Sequence, residues 1–290
     1  MLSLSKQKQT NLKIEAKSKH ENYLAYALTE ADLCRVKQEK KLYGLMGYPL
    51  THSFSQKYFT EKFQTLNLAG HSYKLFPVDH IMQFPELIMR HPSLVGLNIT
   101  IPYKTDIINF LDQIDHEAAE VGAVNTIKIR QTAGDVIVKG FNTDIYGFEI
   151  SLRNFIETLP LKALVFGTGG AAKAVMYVLR KLEIEYINVS RMASEKTISY
   201  EALTNEIYQS HLLWINATPV GMHPDEAGKL PIDYNRITPE HYIYDLIYNP
   251  SQTGFLQEAE NRGAHTKNGL EMLHLQADKS FEIWEDSKVK

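Results

Sequence analysis

The chain has 290 residues, 44% of them hydrophobic and 22% charged, with a formal net charge of −3, which is enough for one large or two ordinary domains, each with its own core. The charge balance excludes the basic excess that serves nucleic acid, and the single cysteine, Cys34, excludes an internal disulfide framework and a cysteine-cluster zinc site. No run of about 18 apolar residues occurs and the first residues lack the apolar core of a secretion signal, so we expect a cytoplasmic monomer or homodimer with a small-molecule partner, without membrane, nucleic acid or metal.

Residues 1–40 read as an N-terminal extension, helical or disordered. Met1 to Lys19 is polar and lysine-rich, and His20 to Lys41 has a charged helical pattern with an apolar stripe at Tyr23, Ala27 and Leu28. A solvated tail suits this stretch better than a transit peptide, which favours arginine, and none precedes Arg35. From Lys41 strands and helices alternate. A buried-strand run to Pro49 leads into a helix from Ser55 to Leu66, and a strand from His71 to Val78 into a helix from Met82 to Met89. A third strand, Leu94 to Pro102, leads into a helix from about Thr105 to Glu120. This repetition predicts a three-layer α/β domain with a mostly parallel sheet. The segments flanking Thr132 to Gly134 predict a β-hairpin, after which the chain from Thr143 is helical. A second α/β domain opens with the strand Leu161 to Gly167, so a boundary is expected between Asp144 and Pro160.

That strand runs into Gly167-Thr168-Gly169-Gly170-Ala171-Ala172 and then a helix. Gly167 permits a tight turn, Gly169 lets backbone approach a pyrophosphate, and Ala172 allows close helix packing, with the helix N-terminus facing the phosphates. The strand–turn–helix setting predicts a Rossmann-like dinucleotide-binding domain. At the end of the next strand, where an NAD enzyme offers an acid to the ribose, the chain offers Ser190 and Arg191. A guanidinium pairs with a 2′-phosphate and gives no acceptor to a free hydroxyl, which favours NADP; the plainer alternative is a solvated strand-end arginine.

Four polar clusters lie just beyond strand ends, where open α/β sheets bind ligands: His52-Ser53-Phe54-Ser55, Asn98 to Lys104, Gly122-Ala123-Val124-Asn125-Thr126 and Asn142-Thr143-Asp144. Singly, each reads as a cap, a turn or a solvated charge. In this order, with the glycine-rich turn, Asn216 to Met222, Tyr244 to Tyr248 and Gly269 to Gln276, they resemble the shikimate dehydrogenase family from about Leu42 to Trp284.

The resemblance implies a substrate-binding and catalytic domain over 41–146, completed by 270–290 as the last helix returns, and an NADP-binding domain over 147–269. It implies NADPH-dependent, reversible reduction of 3-dehydroshikimate to shikimate in aromatic amino-acid biosynthesis. Ser53 and Ser55 correspond to the hydroxyls that hold the substrate carboxylate. Asn98, Thr100, Asn125 and Gln276 correspond to side chains that bond the ring hydroxyls or line their pocket, and Tyr248 to a tyrosine beside the substrate. Ala217, Thr218, Leu246, Gly269 and Met272 fall where the family meets the cofactor. Lys104 and Asp144 correspond to the catalytic pair, and the chemistry agrees, because oxidising a secondary alcohol requires proton loss from oxygen as well as hydride loss from carbon. Burial and a neighbouring carboxylate act on a lysine in opposite senses, so which of the two carries the proton stays open.

The chain departs from the family pattern at Gln56, at Phe59-Thr60 and at Met192, where proline, a polar pair and threonine are usual. A quinate or dual-specificity dehydrogenase is the nearer alternative, and a non-catalytic NADP-binding sensor the one from another class. His116-Glu117 with Glu120 lacks the second histidine of a helical zinc motif and reads as a solvated helix face.

Overall fold

A computed structural model describes residues 41–50, 53–132, 134–156 and 162–286. The expected extension over 1–40 and His52 lie outside the described residues. Contacts divide the chain into one unit that ends at Asn142 and resumes at Ser280, and a second from Thr143 to Lys279.

In the first unit, β1 (Lys41–Gly47) is apolar and buried after its first residue, as a central strand covered on both faces must be. It pairs in parallel with β2 (His71–Pro77) and β3 (Leu94–Ile99). Helices α1 (Phe54–Thr65) and α2 (Phe84–Arg90) make the crossovers. β5 (Thr126–Thr132) and β6 (Asp135–Phe141) form the expected hairpin, and β5 is antiparallel to β3. With β4 (Gln113–Ile114) at the edge, the order is β2-β1-β3-β5-β6-β4.

The helix expected from about Thr105 to Glu120 is not one helix. The chain makes a 3₁₀ turn, Asp106–Phe110, then β4, then the short α3 (His116–Val121). Two aspartates supply the reason. Asp112 Oδ2 accepts from Val138 N at 2.8 Å, and Asp115 caps α3 by accepting from Glu117 N at 3.1 Å. Such side-chain bonds to backbone compete with continued helix and lay the segment along β6.

The second unit is an all-parallel sheet of β7 (Ala163–Phe166), β8 (Tyr186–Ser190), β9 (Ile198–Ser199), β10 (Leu213–Asn216), β11 (Tyr242–Asp245) and β12 (His265–Lys267). The order β12-β11-β10-β7-β8-β9 sets the parallel strands β7 and β10 side by side, with the strand order running outward from β7 on one side and from β10 on the other, the switch point of a Rossmann sheet. Its helices are α4 (Thr143–Phe155), α5 (Gly170–Lys181), α6 (Asn205–Ser210) and α7 (Gly254–Glu260). Two α/β units, one mostly parallel and one Rossmann-like, are the fold class the sequence implied. Among the described residues no helix is long and apolar enough to cross a membrane.

The final helix, α8 (Leu270–Glu285), ends on the first sheet. Trp284 is 5% exposed, lies among Tyr43, Phe59 and Tyr73, and donates from Nε1 to Ile127 O at 3.0 Å. Gly96 makes room for it, since a Cβ there would come within 2.5 Å of the indole. Lys41 Nζ holds the helix end at 2.8 Å from Glu285 Oε2, and Tyr43 OH donates to the same carboxylate. We predict that Trp284→Ala lowers the stability of the first unit by about 3–5 kcal/mol, measured by denaturant unfolding. A loss below about 1 kcal/mol would mean that the indole does not hold the helix end.

Candidate active site

Backbone bonds gather the polar clusters of the first unit at the carboxyl edge of its sheet. Because β5 runs against β3, its leading residue Asn125 lies beside the end of β3: Ile99 N donates to Asn125 O at 2.8 Å, and Asn125 N to Phe141 O at 3.1 Å. Thr100 is held by its own N–H to Met46 O at 2.9 Å, and Lys104 by Val124 N donating to its carbonyl at 2.7 Å. Tyr103, buried beside Lys104, donates to Val78 O at 2.7 Å and anchors that turn. Thr100, Lys104 and Asn125 are thereby tied to one edge.

Beneath this edge runs a buried polar chain. Tyr73 OH donates to Asn98 Oδ1 at 2.8 Å, and Asn98 Nδ2 donates to Ser280 Oγ at 3.0 Å and Thr126 Oγ1 at 3.3 Å. Ser280 and Thr126 share a bond of 2.8 Å, and Thr126 donates to Asn125 Oδ1 at 3.2 Å. Burial raises the Tyr73 hydroxyl well above its usual range, offset in part by the nearby Ser55 hydroxyl. Ser53 occupies the N-cap position of α1, yet its hydroxyl does not cap the helix; the oxygen is buried and makes no hydrogen bond among the described residues. The sequence reading missed Tyr73, Thr126 and Ser280. Thr126 closes a motif already singled out, and Ser280 follows Gln276 at i+4, a spacing that puts both on one helix face.

In the second unit, Gly167 follows β7 with φ +115°, and a Cβ there would meet Ala217 O at 2.9 Å and the Thr218 side chain, so the turn requires glycine. Asn188 Nδ2 fixes the turn by donating to Val165 O at 2.9 Å and Gly167 O at 2.7 Å. Thr168 and Gly169 are exposed; Gly169 is the N-cap of α5 and has no side chain to bond its first amides, which Gly170 and Ala171 begin. Those amides and the helix dipole suit a phosphate. Ser190 Oγ donates to Met192 O at 2.7 Å, and the loop beyond is clipped by Ser194 Oγ and Thr197 Oγ1 at 2.9 Å. Arg191 is exposed, and its charge opposes the burial that raises the Tyr200 hydroxyl.

The loops after β10 and β11 are joined by Asp245, which is fully buried. Its Oδ1 accepts from Asn216 Nδ2 and Ile247 N, each at 3.0 Å, and its Oδ2 from Thr253 Oγ1 at 2.6 Å. Asn216 Oδ1 in turn accepts from Thr218 N at 3.0 Å and Thr218 Oγ1 at 2.7 Å. Gly269 is pressed against the Leu246 carbonyl, where any Cβ would collide, and Met272 is buried a turn further on. Thr143 Oγ1 donates to Gln276 Oε1 at 3.3 Å, so α4, whose first turn carries the buried Asp144, meets α8 at Gln276. Tyr248 is half-buried, which raises its hydroxyl. Of the expected residues, Ser53, Ser55, Asn98, Thr100, Lys104 and Asn125 belong to the first unit; Asp144, Tyr248, Gln276 and the cofactor set belong to the second.

A Rossmann sheet with a glycine turn at its switch point, in one chain with a sheet edge rich in hydroxyl and amide groups, defines a dinucleotide-dependent oxidoreductase. Residues 45–127 match the model of the shikimate dehydrogenase substrate binding domain. The shikimate dehydrogenase (NADP(+)) of Carboxydothermus hydrogenoformans is 37% identical over 268 residues, covering 86% of this chain and 93% of that protein. The crystal structure of shikimate 5-dehydrogenase from Thermus thermophilus, in complex with NADP(H) and shikimate, matches with a TM-score of 0.73 and 30% identity over 84% of this chain and 93% of that one. Quinate dehydrogenase from Corynebacterium glutamicum, in complex with NAD, shares the fold at a TM-score of 0.74 and 24% identity, over 85% of this chain and 94% of that one. The chain belongs to the shikimate dehydrogenase family.

Asp245 gives this site a pH signature. Burial pushes its carboxyl from 3.8 up to about 6, against the pull of its three hydrogen-bonding partners. Between those values the folded chain binds a proton that the unfolded chain has lost. Its contribution to stability is therefore most favourable below pH 3.8 and is lost as the pH rises through about 6. Asp245→Asn removes the titration and keeps the shape. Its stability relative to wild type should rise by about 1–3 kcal/mol from about pH 4 to about pH 7, read by denaturant unfolding. A difference that stays flat with pH would contradict the assignment.

Proposed function

We propose that this chain catalyses the reversible NADP-dependent oxidation of shikimate to 3-dehydroshikimate, in the cytoplasm. The observation that carries the reading is the convergence of Thr100, Lys104 and Asn125 on one strand edge, braced by the Val124–Lys104 backbone bond of 2.7 Å. A ligand dense in hydroxyls fits such an edge, because a site built to bond them rejects analogues that lack them. Ser53 supports the carboxylate assignment, since a buried hydroxyl with no partner among the described residues is costly unless a ligand takes its bond.

The Gly167 to Ala171 turn, exposed at Thr168 and Gly169, fits a dinucleotide pyrophosphate, with Ser190 and Arg191 at the adenosine 2′-phosphate. Ala217, Thr218, Leu246, Gly269 and Met272 would line the remainder. NADP, when bound, supplies the hydride acceptor. The chain's own residues do the rest. Ser53 and Ser55 orient the substrate by its carboxylate, while Asn98, Thr100, Asn125, Tyr248 and Gln276 hold or enclose the ring. Lys104 and Asp144 take the proton from the hydroxyl oxygen as it becomes a ketone and return it in the reverse direction.

Positioned acid–base catalysis is worth about 10²–10⁴ in rate. Lys104→Ala and Asp144→Asn should each lose about that factor in kcat while remaining folded, and the double variant should be little worse than the poorer single one. These are read at saturating shikimate and NADP. A loss below about threefold in Lys104→Ala would remove the lysine from the mechanism.

A further inference from the structure

We infer that Thr126 and Ser280 are positioning residues for the substrate pocket, acting through Asn125 and Asn98. This rests on the shikimate reading above. Thr126 and Ser280 are both fully buried and Asn98 is 5% exposed, so the polar chain they form lies out of reach of solvent. The proton directions that serve these four bonds together run from Tyr73 to Asn98, from Asn98 to Ser280, from Ser280 to Thr126 and from Thr126 to Asn125.

The consequence falls on the asparagine at the end. With Oδ1 accepting from Thr126, the Asn125 amide is turned so that its Nδ2 faces away from Thr126. A substrate hydroxyl placed against that nitrogen is then bound through its oxygen. Asn98 is committed differently. Its Oδ1 accepts from Tyr73 and its Nδ2 serves both Ser280 and Thr126, so it braces the pocket from within. Ser280 comes from the last helix, at a sequence distance of 182 residues from Asn98 and 154 from Thr126. Docking of that helix end therefore adds the Ser280 hydroxyl to a network otherwise built from residues of the strands.

Thr126→Val removes the hydroxyl at nearly constant shape, and Thr126→Ser keeps it. Loss of a net hydrogen bond corresponds to about threefold to tenfold in affinity. Thr126→Val should raise the KM for shikimate by that factor and leave the KM for NADP within about twofold, while Thr126→Ser should return the shikimate KM to within about twofold of wild type. Ser280→Ala should act in the same direction, and it carries the test if Thr126→Val does not fold. Wild-type protein that turns over no shikimate would overturn the substrate reading and this inference with it. Wild-type turnover with an unchanged shikimate KM in the folded variants, or with both KM values rising in parallel, would overturn the inference alone.

Discussion

A polar side chain withdrawn from water must make its hydrogen bonds inside the protein or cost roughly 1–3 kcal/mol, and both units apply that constraint at the carboxyl edge of their sheets. In the first, Asn98 at the end of β3 is bonded by Tyr73, Thr126 and Ser280, which come from three other elements. In the second, Asp245 at the end of β11 is bonded by Asn216, Ile247 and Thr253. Each of these residues accepts or donates across loops that carry the expected ligand-binding groups. Satisfying the buried group and shaping the ligand edge are thus one structural act, and the strand order of each sheet decides which loops take part.

The constraint also separates what the sequence discloses from what it conceals. The glycine turn was legible because its chemistry is local: a positive φ at Gly167 and a bare helix N-terminus after it. The β5–β6 hairpin and the parallel crossovers were legible from strand periodicity and turn residues. The segment from Thr105 to Glu120 was not. Its apolar spacing suits a helix, and the partners of Asp112 and Asp115, Val138 and Gly140 on β6, break it. Tyr73 and Ser280 were hidden for a related reason. Read locally, Tyr73 is an apolar strand residue and Ser280 an ordinary helical serine, and their common partner Asn98 lies far from each in sequence. Pattern reading finds groups that work with their neighbours in the chain, and these work with neighbours in space.

The departures from the family pattern also acquire a physical account. Phe59, in place of a polar residue, is fully buried and stacks on Tyr73 at 4.7 Å, so it extends the aromatic core on which Trp284 rests. Gln56 is exposed on α1, and its backbone carbonyl accepts from Thr60 Oγ1 at 2.7 Å, which leaves Ser53 and Ser55 untouched. Met192 is 80% exposed, while its carbonyl is held by Ser190 Oγ at 2.7 Å and Thr197 Oγ1 at 3.2 Å. The loop that presents Arg191 is thus shaped by hydroxyl bonds to its backbone and survives the loss of the usual threonine.

The central claim is that this arrangement serves one substrate and one cofactor class, and steady-state turnover of the purified full chain tests it most directly. Shikimate and quinate are each paired with NADP and with NAD, and the reduced nicotinamide is followed by its absorbance. The account predicts the highest kcat/KM for shikimate with NADP. Preference for quinate, preference for NAD, or no turnover in any pairing would contradict it.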